Sequence, residues 1–189
     1  NVFSLLEEIT VNNSEKISLG MKSKWGWNEF TYKGLGLLSR RLASYLIEDL
    51  QIEKGEKLAI LSESKPEYGA CVFGSVLAGL TTVPLDNKLT IFELHSILSN
   101  CEPTVMLVSS TYIDKAKELK NKIPSIKYLI LMDSSSCENE LIPSLYSIPE
   151  KYTAKWRRRP LSATAFTIYT SGTTGAPKGV EITFKNMLA

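Results

Sequence analysis

Residues 165–179, AFTIYTSGTTGAPKG, carry the groups of this chain best suited to hold a phosphate. A short apolar and β-branched run, Phe166 to Tyr169, gives way to a stretch of glycine, serine, threonine and one lysine, and Val180–Thr183 then alternates apolar and polar again. That pattern predicts a strand, a polar loop and a second strand. Gly172, Gly175 and Gly179 permit positive φ and close backbone approach, so successive N–H groups can converge into an anion-binding nest. The hydroxyls of Thr170, Ser171, Thr173 and Thr174 add donors, and Lys178 adds a point charge. The implied chemistry is phosphate binding. Nothing in the chain stands out as an acid, base or nucleophile, so no catalytic residue and no metal ligand is assigned.

A Walker loop would need glycine, four residues, then Gly-Lys-Ser/Thr, with a helix following. Here Pro177 precedes Lys178, Gly179 follows it, and the next residues read as strand, which argues against a stand-alone P-loop NTPase. Tyr169 through Gly179 instead resembles, nearly residue for residue, the signature of the adenylate-forming (AMP-dependent synthetase/ligase) enzymes, which include the acyl-CoA synthetases. A second stretch, Leu77–Asp86 continuing through Asn87-Lys88-Leu89-Thr90, resembles another recurrent motif of that family, with Lys88 where many members have arginine. The resemblance runs through nearly the whole chain.

It implies an ATP-dependent ligase that joins a carboxylic acid, fatty or other, to a thiol, with ATP, Mg²⁺ and coenzyme A as cofactors. The carboxylate attacks the α-phosphorus of ATP to give an acyl-adenylate and pyrophosphate, and a thiol then takes the acyl group. Thr170, Ser171, Gly172, Thr173, Thr174 and Gly175 would hold the β- and γ-phosphates and Lys178 would balance their charge. The family's later motifs and its C-terminal domain with a catalytic lysine are absent from these residues, so the chain resembles the N-terminal portion of such an enzyme and is expected to be inactive alone. The acyl pocket of the family is built mainly from later segments, which leaves the acid open, as it leaves open coenzyme A or a carrier protein as acceptor. The competing non-enzyme function is a nucleotide- or partner-binding module that uses the same loop without turnover. Phe184 departs from the family, which commonly has histidine after the preceding threonine.

The elements that would position the loop alternate. Leu5, Leu6 and Ile9 mark a short helix with Val2; Lys16–Lys24 and Asn28–Tyr32 flank Trp25-Gly26-Trp27 as a hairpin with Gly26 at the turn and the tryptophans packing. Thr31 can cap a helix whose apolar face, Leu35, Leu38, Leu42, Tyr45 and Leu46, extends to about Leu50. From Lys57 to Met132 strands and helices alternate four times: strands at Lys57–Leu61, Leu80–Leu85, Thr104–Val108 and Lys127–Leu131, helices capped by Ser64-x-x-Glu67 and Thr90-x-x-Glu93, and a charged helix over Tyr112–Ile123. Gly69, Gly74 and Gly79 thin the first of these helices, suiting it to approach a sheet closely. The rhythm predicts an α/β fold, a largely parallel sheet with helices on both faces; the resemblance makes it the N-terminal subdomain of the acyl-CoA synthetase-like fold, incomplete. The expected divisions are a lead-in hairpin and helix over 1–56, alternating α/β over 57–132, a partly mobile surface connection over 133–160, and the phosphate-loop segment over 161–189, where Thr183 to Asn186 starts a helix.

The 189 residues are 43% apolar and 22% charged with a net charge of +2, the profile of a globular protein whose field is too weak to argue for nucleic acid or a membrane as main partner. Arg157-Arg158-Arg159 lacks helical context and interleaved aromatics and is expected to be a solvated loop. Cys71, Cys101 and Cys137 are widely spaced and odd in number, which points to reduced, structural thiols and a cytoplasmic protein. His95, the single histidine, stands off its helix's apolar stripe. No apolar run reaches a membrane span, although Asn1 in place of an initiator methionine leaves a lost leader open. An incomplete sheet would expose an edge and an apolar face, inviting self-association.

Overall fold

A computed structural model describes residues 8–24, 26–133, 142–150, 155–170 and 177–188. The chain enters through helical residues 8–12 (α1) into an antiparallel hairpin of β1 (Ile17–Ser23) and β2 (Gly26–Thr31). Gly26 has φ +124° at the tight corner, a conformation that costs only glycine nothing. Trp27 is not a core residue: it is 66% exposed and lies over Gly20, where the absent side chain leaves room for the indole. Thr31 caps α2 (Tyr32–Ser44), its hydroxyl accepting from the Gly34 N–H at 3.1 Å, and the helix loosens into a π-helical turn over Tyr45–Asp49.

A six-stranded sheet follows, in the order β6-β5-β3-β4-β7-β8. Its strands β3 (Lys57–Leu61), β4 (Thr81–Leu85), β5 (Val105–Val108), β6 (Tyr128–Leu131) and β7 (Thr164–Thr170) are parallel, and β8 (Lys178–Thr183) runs antiparallel to β7 at the edge. The strand period of two sorts the core onto two faces. Leu58 and Ile60, with Val105, Leu107 and Ile130, pack under α2 and α3 (Pro66–Leu77). Ala59 and Leu61, with Met106, Val108, Leu129 and Leu131, pack under α4 (Ile91–Cys101) and α5 (Ile113–Lys122), the latter preceded by a 3₁₀ turn at Ser110–Tyr112. Both faces of the parallel sheet are thus covered, and these strands read as nearly unbroken apolar runs.

Three local expectations change. Helix α3 is not capped by Ser64: it begins at Pro66 with extended Lys65 before it and no side-chain cap, because proline at the first helical position forces its predecessor out of the α region. The glycines of α3 admit neighbours other than the sheet. A Cβ at Gly74 would lie 2.8 Å from Leu42 of α2, and one at Gly69 would lie 2.5 Å from Leu19 of β1, so they set the approach of α2 and the hairpin. The basic run is not a solvated loop throughout. Arg157 donates to the Ile52 carbonyl, and Arg159 donates to Thr81 Oγ1 at 3.0 Å and to the Thr164 carbonyl at 2.9 Å, leaving Arg158 exposed.

Within the connection expected at the surface, residues 134–141 and 151–154, Cys137 among them, lie outside the described residues. Residues 142–150 dock on the outer side of β6, where Leu131 N–H donates to the Pro143 carbonyl at 2.9 Å, Leu145 N–H to the Leu131 carbonyl at 2.7 Å, and Leu145 and Ile148 are buried. Phe184 opens α6 (Phe184–Met187) under a capping box from Thr183 and is 3% exposed in the α2–α3 core, so the position that departs from the resembled family is spent on packing.

Candidate functional site

Of the proposed phosphate-holding residues, Thr170 and Lys178 are described; Ser171, Gly172, Thr173, Thr174 and Gly175 lie outside the described residues. Thr170 ends β7 and Lys178 begins β8, and the two are register partners, so they face each other at the base of the connection that spans 171–177. Both are exposed, and among the described residues no carboxylate pairs with Lys178. A cation and a hydroxyl therefore meet the solvent side by side where a Gly/Ser/Thr-rich segment leaves and re-enters the sheet.

The stem below them is tightly fitted. Gly179, opposite Tyr169, does not have a positive φ; its role is spatial. A Cβ there would lie 2.8 Å from Thr167 Cγ2 and 3.2 Å from Tyr169 Cζ, so the tyrosine ring lies across the glycine backbone. The Tyr169 hydroxyl donates to Asn100 Oδ1 at 2.6 Å, on the last turn of α4. Burial, with the Cys101 thiol beside it, pushes this phenol up to about 12, and it stays a donor at neutral pH. The α4 terminus is itself fixed: Lys57 Nζ donates to the Cys101 carbonyl at 2.9 Å, and Glu102 closes the helix at φ +49°.

A second group of ionisable side chains gathers beyond the carboxyl ends of β3, β5 and β6. Chain connections leave β3 and β5 toward opposite sides there, the place where open α/β sheets usually form a ligand crevice. Here the chain fills it with its own charges. Lys65 lies 2.5 Å from Asp133 and 3.2 Å from Glu63. Asp133 accepts from the Ser110 N–H at 3.0 Å and hydroxyl at 2.8 Å, while Glu63 accepts from Ser109 at 2.6 Å and Thr111 at 3.1 Å. Burial opposes ionisation of both carboxyls, but Lys65 and Ser110 hold Asp133, and Ser109 and Lys65 hold Glu63, below the usual carboxylate range. A cleft of about 540 Å³ adjoins this network, lined by Glu63, Lys65, Tyr68, Asp86 and Asn87. Among the described residues no group of three His, Cys, Asp or Glu side chains is placed to hold a metal ion. His95 is half-exposed beside Ser99. Cys71 and Cys101 are buried free thiols, and burial raises the pKa of both.

The family profile described as AMP-binding enzyme matches residues 7–189. The chain belongs to the AMP-binding enzyme family. A crotonobetaine/carnitine–CoA ligase of Escherichia coli is 29% identical over 164 residues, 85% of this chain and 32% of that protein. The chain thus spans about a third of the length of the curated relatives it matches. Among solved structures, the anthranilate CoA ligase AuaEII, in complex with anthranoyl-AMP, superposes with a TM-score of 0.84 at 21% identity over 98% of this chain and 35% of that one. ATP-bound MatB from Rhodopseudomonas palustris gives 0.77 at 21% identity over 100% and 35%. These two likenesses show the fold of an AMP-binding enzyme's N-terminal region. No described helix is long and apolar enough to cross a membrane.

The sequence pointed to the loop and its strands and missed Asn100. No spacing ties Asn100 to Tyr169, 69 residues away; an acceptor in the last turn of a helix flanking the sheet was the sole hint.

Proposed function

We propose that this chain is the amino-terminal part of an ATP-dependent acid–thiol ligase, in which the β7–β8 hairpin presents the triphosphate. The observation that carries it is the pairing of Thr170 with Lys178 at the mouth of the Ser/Gly/Thr-rich connection, in a chain of the AMP-binding enzyme family. In this reading the carboxylate oxygen bonds to the α-phosphorus as the bond to the pyrophosphate oxygen breaks, and a thiol, of coenzyme A or a carrier protein, later attacks the acyl carbon and releases AMP. Charge accumulates on the phosphate oxygens during the first step, so groups aimed at those oxygens lower its barrier. Lys178 supplies the cation, Thr170 and Ser171 supply hydroxyl donors, and the backbone around Gly172, Thr173, Thr174 and Gly175 supplies N–H groups. Mg²⁺ would arrive with the nucleotide and screen its charge; the described residues offer it no ligand set. The proteins named above include a crotonobetaine/carnitine–CoA ligase and an anthranilate CoA ligase, and we keep a fatty acid as one candidate among carboxylic acids.

The test is acid-dependent ATP–pyrophosphate exchange by the full-length ligase over a panel of carboxylic acids. Lys178→Ala removes one charge-assisted contact of about 1.5–3 kcal/mol, which corresponds to about a ten- to hundredfold loss in kcat/KM for ATP. Exchange unchanged in that variant would remove Lys178 from this role.

A further inference from the structure

We infer that Asn100 is a positioning residue for the phosphate loop, acting through Tyr169; the inference rests on the function proposed above. The hairpin that carries the loop shares little strand register with the rest of the sheet, and what it shares lies at the end away from the loop. Its strand β7 shares one register position with β4, Thr82 opposite Phe166, against six with β8. Beyond Phe166 the hairpin needs another anchor, and the described contacts supply one: the Tyr169 hydroxyl on Asn100 Oδ1, one residue before Thr170 and directly across from the strand that begins with Lys178. A bond from the tip of a rigid ring to a fixed helix end constrains direction as well as distance.

Both sides of this contact are built. On the hairpin side, Gly179 lets the ring lie flat across β8, and Thr167 closes the space beside it, so the ring has little freedom to swing. On the helix side, the Lys57 ammonium on the Cys101 carbonyl fastens the turn that bears Asn100 to the first residue of β3. The contact therefore links the base of the loop to the central strand of the sheet. Because Asn100 lies on another element from the hairpin and touches β7 through the one Tyr169 hydroxyl, its loss should alter the loop's placement more than the fold's stability.

The experiment uses the full-length ligase and four variants: Tyr169→Phe, Asn100→Leu, the double variant, and Lys178→Ala as a reference. Tyr169→Phe keeps the ring over Gly179 and deletes the hydroxyl; Asn100→Leu keeps the volume and deletes the acceptor. Each single variant is expected to raise the KM for ATP in pyrophosphate exchange about three- to tenfold, the range of one hydrogen bond. The KM for the carboxylic acid should stay within about twofold, and the double variant should be no worse than the worse single one, since both delete the same bond. Unchanged ATP KM in both single variants, or losses that multiply in the double, would overturn the positioning role while a damaged Lys178→Ala enzyme leaves the function standing. If Lys178→Ala itself exchanges normally, the functional proposal falls first and this inference with it. A variant that lowers ATP and acid affinity equally, together with thermal stability, would mark Asn100 as a structural residue and also overturn the inference.

Discussion

Replacing Gly79 by alanine should cost this chain several kcal/mol, and the structure says where. Gly79 turns α3 into β4 at φ +74°, a left-handed conformation that costs a residue with a Cβ about 1–3 kcal/mol. The added carbon would also lie 2.7 Å from the Arg157 carbonyl oxygen and 2.9 Å from Arg157 Cβ. The first of these is backbone, so no rotamer change relieves it; the segment at 155–160 must move. That movement strains the Arg157 N–H donated to the Leu77 carbonyl at 3.0 Å and the Gly55 N–H donated to the Gly79 carbonyl at 2.9 Å, each worth about 0.5–1.5 kcal/mol. The sum is about 2–6 kcal/mol. Gly34→Ala is the control: its φ is ordinary, its Cβ would meet nothing closer than Thr31 Oγ1 at 3.6 Å, and alanine in the first turn of α2 gains up to about 1 kcal/mol in helix propensity. Urea unfolding of both variants, with midpoints converted through a common slope, should move in opposite directions. A Gly79→Ala midpoint within about 1 kcal/mol of the parent would refute the geometry at this turn.

Three further outcomes follow. Asp133 and Glu63 have folded pKa values below their unfolded ones, so their stabilisation is fully present above the unfolded values, about 3.9 and 4.3, and is lost as pH falls through the folded values. Urea titrations between about pH 6 and about pH 2.5, which bracket the unfolded values, should show a steeper acid decline for the parent than for Asp133→Asn, and parallel declines would count against the network. The chain by itself should perform no acid-dependent pyrophosphate exchange, because near-attack positioning accounts for about 7–11 kcal/mol of such a barrier and the function proposed above assigns these residues only the phosphate part. It should also self-associate through β8, where Val180 is 52% exposed on the edge strand. Sedimentation showing a monomer at high concentration would contradict the third statement, and acid-dependent exchange abolished by Lys178→Ala would contradict the second.

What could be read from the sequence was what short range decides. The Thr31 cap and the Thr90–Glu93 capping box lie where the spacing put them, with both bonds of the box formed, because an N-cap and the third helical residue interact within one turn. The strands at Lys57–Leu61 and around Val105 and Leu129 were legible as apolar runs bounded by turn signals. Strand order was not. Nothing local says that β5 lies on one side of β3 and β4 on the other, since that follows from helices crossing opposite faces. Ser64 was misread because the capping pattern ignores the steric demand of Pro66. Arg157 and Arg159 were misread because an arginine's partners, here Ile52 and Thr81, come from chain segments some eighty to a hundred residues earlier. At the site, the loop's composition carried the expectation of an anion, while the Tyr169–Asn100 contact joins segments 69 residues apart that no local pattern connects.

The single register position between β7 and β4 also bears on how the molecule breathes. Sheets open where pairing is sparse, in cooperative pieces rather than residue by residue. The seam beside β4 is closed by Thr82–Phe166, by Thr81 Oγ1 donating to the Thr164 carbonyl at 3.0 Å, and by Arg159 bridging the same two residues. On the far side of that seam, β7, β8 and α6 form one unit bound by its own hairpin ladder. Amides in β3 and β5 would exchange only with global unfolding, whereas those of the hairpin would exchange together through a smaller opening. In the ligase proposed above, nucleotide affinity would then carry the free energy of closing that unit, and the Arg159 guanidinium, 12 residues before Ser171, would tune it without touching the ligand.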